Sequence, residues 1–289
     1  MLEVISLGAG VQSTTMALMA AHGEIEPMPD VAIFADTGAE PPEVYEHLDW
    51  LKGGNVLPFP VRIVQFSDMV EDLERTAHGE IGVAGRKDGY LAAPFHTVNA
   101  DGSRGMLRRE CTQNYKIREI EAGIKDVLGR PRDKAIRARK PLVRQWIGIS
   151  SDEAHRVKWI GPGWSRKRYP FLGQAIEDDP QDLWMSRRDC EAWLRAHDYP
   201  IPPKSACTFC PYRSNAEWRA LRDNSPEGWK QAVEIDRLIR DMPAKSRAGL
   251  RLGGELYVHR SGQPLEEVDL DGTDQMNLWD AECEGMCGL

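Results

Sequence analysis

Short apolar runs alternate with amphipathic stretches through the first half of the chain. "LEVISL" (2–7) is apolar and carries Val and Ile, which predicts a buried strand. "STTMALMAAHG" (13–23) predicts a helix, with hydroxyl residues at its start and Gly23 at its end. "VAIFADTG" (31–38) reads as a strand ending in a polar turn, "EVYEHLDWL" (43–51) as a helix, "VRIVQF" (61–66) as a strand and "DMVEDLERTA" (68–77) as a helix. Residues 79–110 are Gly-rich and read as an irregular loop over a site. Residues 111–129 have helical spacing ending at Gly129, and "VRQWIGIS" (143–150) is another strand. Beyond 170 the pattern is mainly helical, with Ser186 placed to cap a helix, and the stretch from Gly253 reads as irregular with short strands. Strand–helix alternation of this kind predicts an α/β fold with a parallel sheet. It divides the chain into an α/β part, 1–169, and a helical, cysteine-containing part, 170–289.

Composition narrows the class. The 289 residues are 41% hydrophobic and 28% charged, as in an ordinary globular protein. No apolar run reaches the length of a membrane span and no secretory signal is evident, so the expectation is a cytoplasmic protein without membrane contact. The formal net charge of −8 is unevenly spread: residues 130–168 hold twelve Lys or Arg against three acids. Trp159, Trp164 and Tyr169 are interleaved with these cations, a combination suited to a nucleic-acid backbone and unstacked bases. Solvated cations over a core of packed rings would look the same in sequence. His22, His78 and His155 are isolated and read as ordinary surface or core residues.

The stretch "SLGAGVQSTT" (6–15) places glycines between a strand and a helix, where backbone N–H groups and the helix dipole favour an anion. It has no lysine, which excludes a Walker loop, and Ser13 stands where a dinucleotide fingerprint needs a glycine or small apolar residue. "GAGVQS" instead resembles the S-G-G-x-D-S loop of the PP-loop ATP pyrophosphatases. Gly10 and Ser13 match directly; Gly8, Ala9 and Gln12 replace Ser, Gly and Asp. "FADTG" (34–38), "RRECTQNYK" (108–116) and "GISSDEAHR" (148–156) follow the motif order of the phosphoadenosine-phosphosulfate-reductase-like branch of that superfamily. The resemblance implies a Rossmann-like parallel sheet that binds ATP with Mg²⁺. It nominates Ser6, Gly8, Ala9, Gly10, Gln12, Ser13, Thr14, Asp36, Thr37 and Gly38 for the nucleotide. Lys116 would face phosphate, and Asp152, Glu153 and Arg156 would lie near the reacting groups.

Six cysteines in a chain of this type point to metal or redox chemistry rather than to disulfides. Cys207 and Cys210 form a C-x-x-C pair that suits tetrahedral zinc or an iron–sulfur cluster. Iron–sulfur members of the superfamily pair such a motif with a cysteine at the C-T-x-x-x-K position. That resemblance nominates Cys111, Cys207 and Cys210 for a [4Fe-4S] cluster, with Cys283 or Cys287 as a fourth ligand and zinc as the alternative. Cys190, within an amphipathic run, reads as a buried small hydrophobe.

The implied activity is ATP-dependent sulfur transfer: an acceptor is adenylylated with release of pyrophosphate, and sulfide then displaces AMP. The motif order is similar to the DNA phosphorothioation ATPase and to tRNA thiolases. The implied partners are a DNA or tRNA acceptor held through 130–168 and a sulfur donor such as a cysteine desulfurase. Two other readings stand beside it. A sulfonucleotide reductase would use the cysteine of "MCGL" (286–289), although Met286 and the missing terminal His depart from that family's E-C-G-L-H. A non-catalytic nucleotide-binding module with structural zinc is the third.

Overall fold

The computed structural model describes residues 1–79, 91–158, 161–175, 182–242 and 252–272. Five strands form a parallel sheet: β1 (Leu2–Leu7), β2 (Val31–Ala35), β3 (Val61–Val64), β6 (Val143–Ile147) and β7 (Ser165–Arg168), in the order β3-β2-β1-β6-β7. The apolar runs of β1 and β2 are buried along nearly their whole length because helices cover both faces of the sheet. Alternation along the strands sorts the two cores. Ile5, Leu7, Ala32, Phe34 and Trp146 pack with α1 (Val11–Ala21), α2 (Pro42–Lys52) and α5 (Arg187–Ala196). Val4, Val31, Ile33, Ala35 and Val143 pack beneath α4 (Arg118–Val127) on the other side. A Cβ on Gly123 of α4 would lie 2.9 Å from Val64 Cγ1, so this glycine lets the helix sit close on the sheet.

A second sheet is antiparallel, with β4 (His96–Asn99) between β5 (Arg104–Met106) and β8 (Gly254–Tyr257). A third core joins it to α3 (Met69–Ala77), α6 (Asn215–Asn224) and α7 (Pro226–Arg240), around Phe95, Tyr115, Phe209 and Trp218. This core and the β4–β8 pairing both cross residue 169, so the two parts of the chain share an interior.

The α/β expectation holds, and the differences have local causes. Residues 96–106 contain a hairpin that pairs with β8, some 150 residues further on, a long-range contact that composition does not signal; residues 80–90 of the expected loop lie outside the described residues. The sequence of β7, "SRKR", lacks strand character and reads as part of a basic segment. It forms because it is an edge strand whose one buried side chain, Arg168, stacks its guanidinium 4.3 Å over Trp146. Trp164 and Tyr169 are buried, so neither ring can stack on a base; Trp159 lies outside the described residues. Cys190 is fully buried, as expected. No helix among the described residues is long and apolar enough to cross a membrane.

Candidate functional site

The strand order reverses at β1, whose neighbours β2 and β6 lead away in opposite directions. Ligands of open parallel sheets bind in the crevice that such a reversal leaves at the carboxyl ends of the strands. A cleft of about 390 Å³, its open mouth included, lies there, lined by Gly8, Gly10, Val11, Gln12, Ser13, Gly148, Glu153, Arg156, Arg187, Pro203, Lys204 and Ser205. Its floor is the loop after β1. Ala9 adopts φ +56°, and Ser13 Oγ accepts from Gly8 N–H at 3.1 Å and donates to Gly10 O at 3.3 Å. The first helical bond of α1 runs from Thr14 N–H to Gly10 O. The N–H groups of Val11, Gln12 and Ser13 therefore precede the helical ladder at the crevice end, a geometry that favours an anion. The end of β6 closes on this loop: a Cβ at Gly148 would lie 3.0 Å from Ser13 N.

Gln12 Nε2 donates to Ser150 Oγ at 3.3 Å and to Glu153 Oε2 at 3.4 Å, and Glu153 pairs with Arg156. Glu153 is thus the carboxylate of the cleft lining, in a loop that has glutamine where the resemblance expects aspartate. Arg156, Arg187 and Lys204 supply cationic side chains.

Beside the cleft, the Asp-Thr-Gly turn closes on itself and on the cysteine loop. Asp36 Oδ1 accepts from Gly38 N–H and from Tyr45 Oη, both at 2.8 Å. Burial, then the Asp36 carboxylate, hold the Tyr45 phenol well above its usual range. Gly38 has φ +70°, and a Cβ there would lie 2.2 Å from Asp68 Oδ2; Asp68 Oδ1 caps α3 by accepting from Val70 and Glu71 N–H. Thr37 Oγ1 lies 3.6 Å from Cys207 Sγ, and Ala39 O accepts from Thr208 N–H at 2.8 Å.

Lys116 sits on a π-helical turn, Thr112–Ile117, that opens the expected helix. Its ammonium is 3.0 Å from Glu40 Oε1, a carboxylate with no exposed side-chain surface, and Ser205 Oγ donates to Glu40 Oε2 at 3.2 Å. Ser205 also lines the cleft, so this buried pair stands directly behind the cleft wall. Cys207 lies next: burial, then the Glu40 carboxylate, push its thiol up to about 12, against the opposing pull of Lys116, and the Cys111 thiol is near enough to raise it further.

Cys111 and Cys207 pack against the same core, and Cys210 N–H bonds to Cys207 O in the intervening turn. Their three sulfurs do not all lie within 4.8 Å of one another, whereas thiolates on one tetrahedral zinc would be about 3.8 Å apart. The thiols are not gathered about a single point, while their chemistry is one that zinc and an iron–sulfur cluster both accept. Cys283 and Cys287 lie outside the described residues.

The structure thus gathers Gly8, Gly10, Gln12, Ser13, Glu153 and Arg156 in one cleft. It gives three nominated residues other work. Ser6 Oγ is fully buried and accepts from Gln145 Nε2 at 2.7 Å, a cross-strand bond within the sheet. Thr14 is fully buried with its hydroxyl 3.0 Å from His47 Nε2. Asp152 accepts from Arg187 N–H at 3.0 Å, at the start of α5. Sequence reading missed Glu40, Gly148, Arg187, Lys204 and Ser205. Two signals were available: Glu40 follows the Asp-Thr-Gly turn by two residues, and Lys204-Ser205 immediately precedes the C-x-x-C loop.

Comparison with known protein families and with curated proteins returns no match for this chain. Fold and site define an α/β protein with a cleft at the sheet's switch point, floored by a helix N-terminus, and thiols behind it.

Proposed function

We propose that the chain is an ATP-dependent adenylylating enzyme that transfers sulfur to a nucleic acid, using the PP-loop chemistry its motifs resemble. The observation that carries the reading is the continuous path from cleft to thiols: loop N–H groups, Ser205, the Glu40–Lys116 pair, then Cys207 and Cys111. A nucleotide alone does not require cysteines there; sulfur delivery does.

In this reading the β1–α1 loop and the side chains of Arg156, Arg187 and Lys204 hold the triphosphate of ATP. The acceptor oxygen attacks the α phosphorus, the bond to the bridging oxygen breaks, and pyrophosphate leaves with the charge those cations offset. Sulfide then displaces AMP from the activated acceptor. Glu153 would be the carboxylate that meets Mg²⁺. Cys111, Cys207 and Cys210 would hold a [4Fe-4S] cluster, which would supply a binding point for sulfide.

The cationic stretch gives the acceptor a route. Residues 130–142 precede β6 and so lie at the amino ends of the strands, opposite the cleft. Arg166 and Lys167 follow on the edge strand β7, and Lys158 and Arg156 complete the series on the cleft side. Burial, then neighbouring Lys158, hold Lys167 below its usual pKa, against the opposing pull of Glu121. The sulfur donor, such as a desulfurase, would deliver to the same cleft.

The test is product analysis with ATP labelled at the α phosphate, on protein purified without oxygen and supplied with DNA or tRNA. AMP and pyrophosphate are expected, together with iron and acid-labile sulfide that are lost in Cys111→Ala and Cys207→Ala. ADP and phosphate as products, or zinc held independently of Cys111, would sink the reading.

A further inference from the structure

Helices α1 and α5 pack against each other, and their last turns have the same geometry. In α1, Gly23 is left-handed (φ +76°), Gly23 N–H bonds to Ala20 O at 3.0 Å and Glu24 N–H to Met19 O at 2.9 Å. In α5, Asp198 is left-handed (φ +57°), Asp198 N–H bonds to Arg195 O at 3.2 Å and Tyr199 N–H to Leu194 O at 2.9 Å. These are twin Schellman endings. They place His22 and His197 at equivalent cap positions and set Glu24 and Tyr199 two residues beyond.

One ligand atom from each of His22, Glu24 and His197 falls within 4.8 Å of the other two. The surroundings of His197 fix which of its atoms is offered. His197 Nδ1 lies 2.9 Å from Trp193 O, an acceptor, so Nδ1 carries the proton and Nε2 keeps its lone pair. That Nε2 is 3.7 Å from Glu24 Oε1, while Glu24 Oε2 accepts from the Trp193 indole N–H at 2.9 Å. Tyr199 Oη is 2.8 Å from His22 Nε2 and orients that ring. The Trp193 ring stacks on His197 at 4.0 Å. Each ligand is thus held by a group behind it, the arrangement that orients metal-binding side chains.

Electrostatics favour a cation at the same point. Two helix C-termini meet there with their partial negative charges, beside one carboxylate. A protonated His197 paired with Glu24 would account for one contact, and the His22 ring also packs edge-on against Trp193, His197 and Tyr199. Two ligands on a tetrahedral centre with bonds of about 2.05 Å lie about 3.3 Å apart, close to the 3.7 Å between His197 Nε2 and Glu24 Oε1.

We propose that His22, Glu24 and His197 bind one divalent transition-metal ion of the zinc–nickel class, with water completing its coordination. The ion joins the last turns of α1 and α5. The first turns of the same helices bring Gln12, Ser13 and Arg187 to the cleft, so the ion fixes two cleft walls from the length of α1 away, about 16 Å.

The experiment is calorimetric titration of the chelator-stripped full chain with Zn²⁺, comparing wild type with His22→Ala, His197→Ala and Cys207→Ala. Thiols also take zinc, so the readout is a difference. Each histidine variant is expected to bind one equivalent less than wild type, or to hold that equivalent at least tenfold more weakly. Cys207→Ala is expected to retain it. All three ligands are exposed, so the variants should fold, and circular dichroism checks this. Equal stoichiometry and affinity in wild type and both histidine variants would overturn the proposal, as would loss of the same equivalent in Cys207→Ala. Neither result depends on the activity of the cleft.

Discussion

At the residue scale the Glu40–Lys116 pair separates structure from chemistry. Removing only the cation leaves a buried carboxylate hydrogen-bonded to the Ser205 hydroxyl but without its counter-charge, and a broken buried pair costs about 3–5 kcal/mol. Lys116→Met is therefore expected to lower the urea midpoint strongly, and Glu40→Gln added to it to restore most of that loss. If Lys116 also faces phosphate, the double variant regains stability while AMP formation from ATP stays at least a hundredfold down. Recovery of both together would make the pair purely architectural. Gly148 poses the opposite case, since nothing there is charged. Gly148→Ala drives a methyl into the backbone of Ser13, an overpacking cost of about 1–3 kcal/mol. The displaced loop should bind ATP at least tenfold more weakly by calorimetry; unchanged affinity would move the phosphates off this loop. In the sequence Glu40 is marked only by its place two residues after the Asp-Thr-Gly turn, and Gly148 only as the first residue of "GISSDEAHR". Glu40 and Gly148 matter through contacts with chain segments 76 and 135 positions away, and no local pattern encodes those.

The elements themselves were legible wherever one period dominated. β1, β2, α2, α3, α6 and α7 follow their hydrophobic spacing closely, and Ser186 caps α5 in a full capping box, as its position predicted. Where the chain departs from a regular period, the site is involved. The Cys-Thr-x-x-x-Lys segment reads as ordinary helix but opens with a π turn, a distortion common at functional sites. Helix packing also buries histidines whose role no motif announces. His47 of α2 meets Thr14 of α1, and burial lowers its pKa to about 4; His259 is lowered to about 4 as well, first by burial and then by Arg260. The unfolded chain takes up these protons near pH 6.5, the folded one only near pH 4. Stability is therefore full above pH 6.5 and is lost as the pH falls towards 4, by about 3 kcal/mol for each histidine. Urea titrations at pH 7, 5.5 and 4.5 should show this decline, and His47→Gln should remove about half of it. A variant with the wild-type slope would mean that His47 titrates normally.

At the scale of the whole molecule, the shared interior decides how the chain unfolds. β8 pairs with β4, α5 packs on α1, and one core takes residues from both sides of position 169. A fragment ending at 169 would lose those covers, so it is expected to be insoluble or unfolded, and the full chain to melt in one transition by calorimetry. Charge acts at the same scale but over a different geometry. On the proposed function the acidic remainder of the chain would repel nucleic acid, so binding would depend on the cations of Lys134, Arg137, Arg139 and Lys140 and, beyond them, Arg166 and Arg156. The four cations of the 134–140 segment are exposed, and with Trp164 and Tyr169 buried the described residues of this cationic stretch would offer phosphate contacts rather than stacking. Affinity for DNA should therefore fall steeply with salt and vary little with sequence. Each lost phosphate contact makes the slope of log K against log salt shallower by about 0.9 on duplex DNA. Replacing Lys134, Arg137, Arg139 and Lys140 with Ala is expected to reduce the slope by about 2–4 while leaving ATP binding intact, because the cleft lies at the opposite end of the strands. An unchanged slope would separate nucleic acid from this edge of the sheet, and the acceptor would then have to enter by the cleft cations alone.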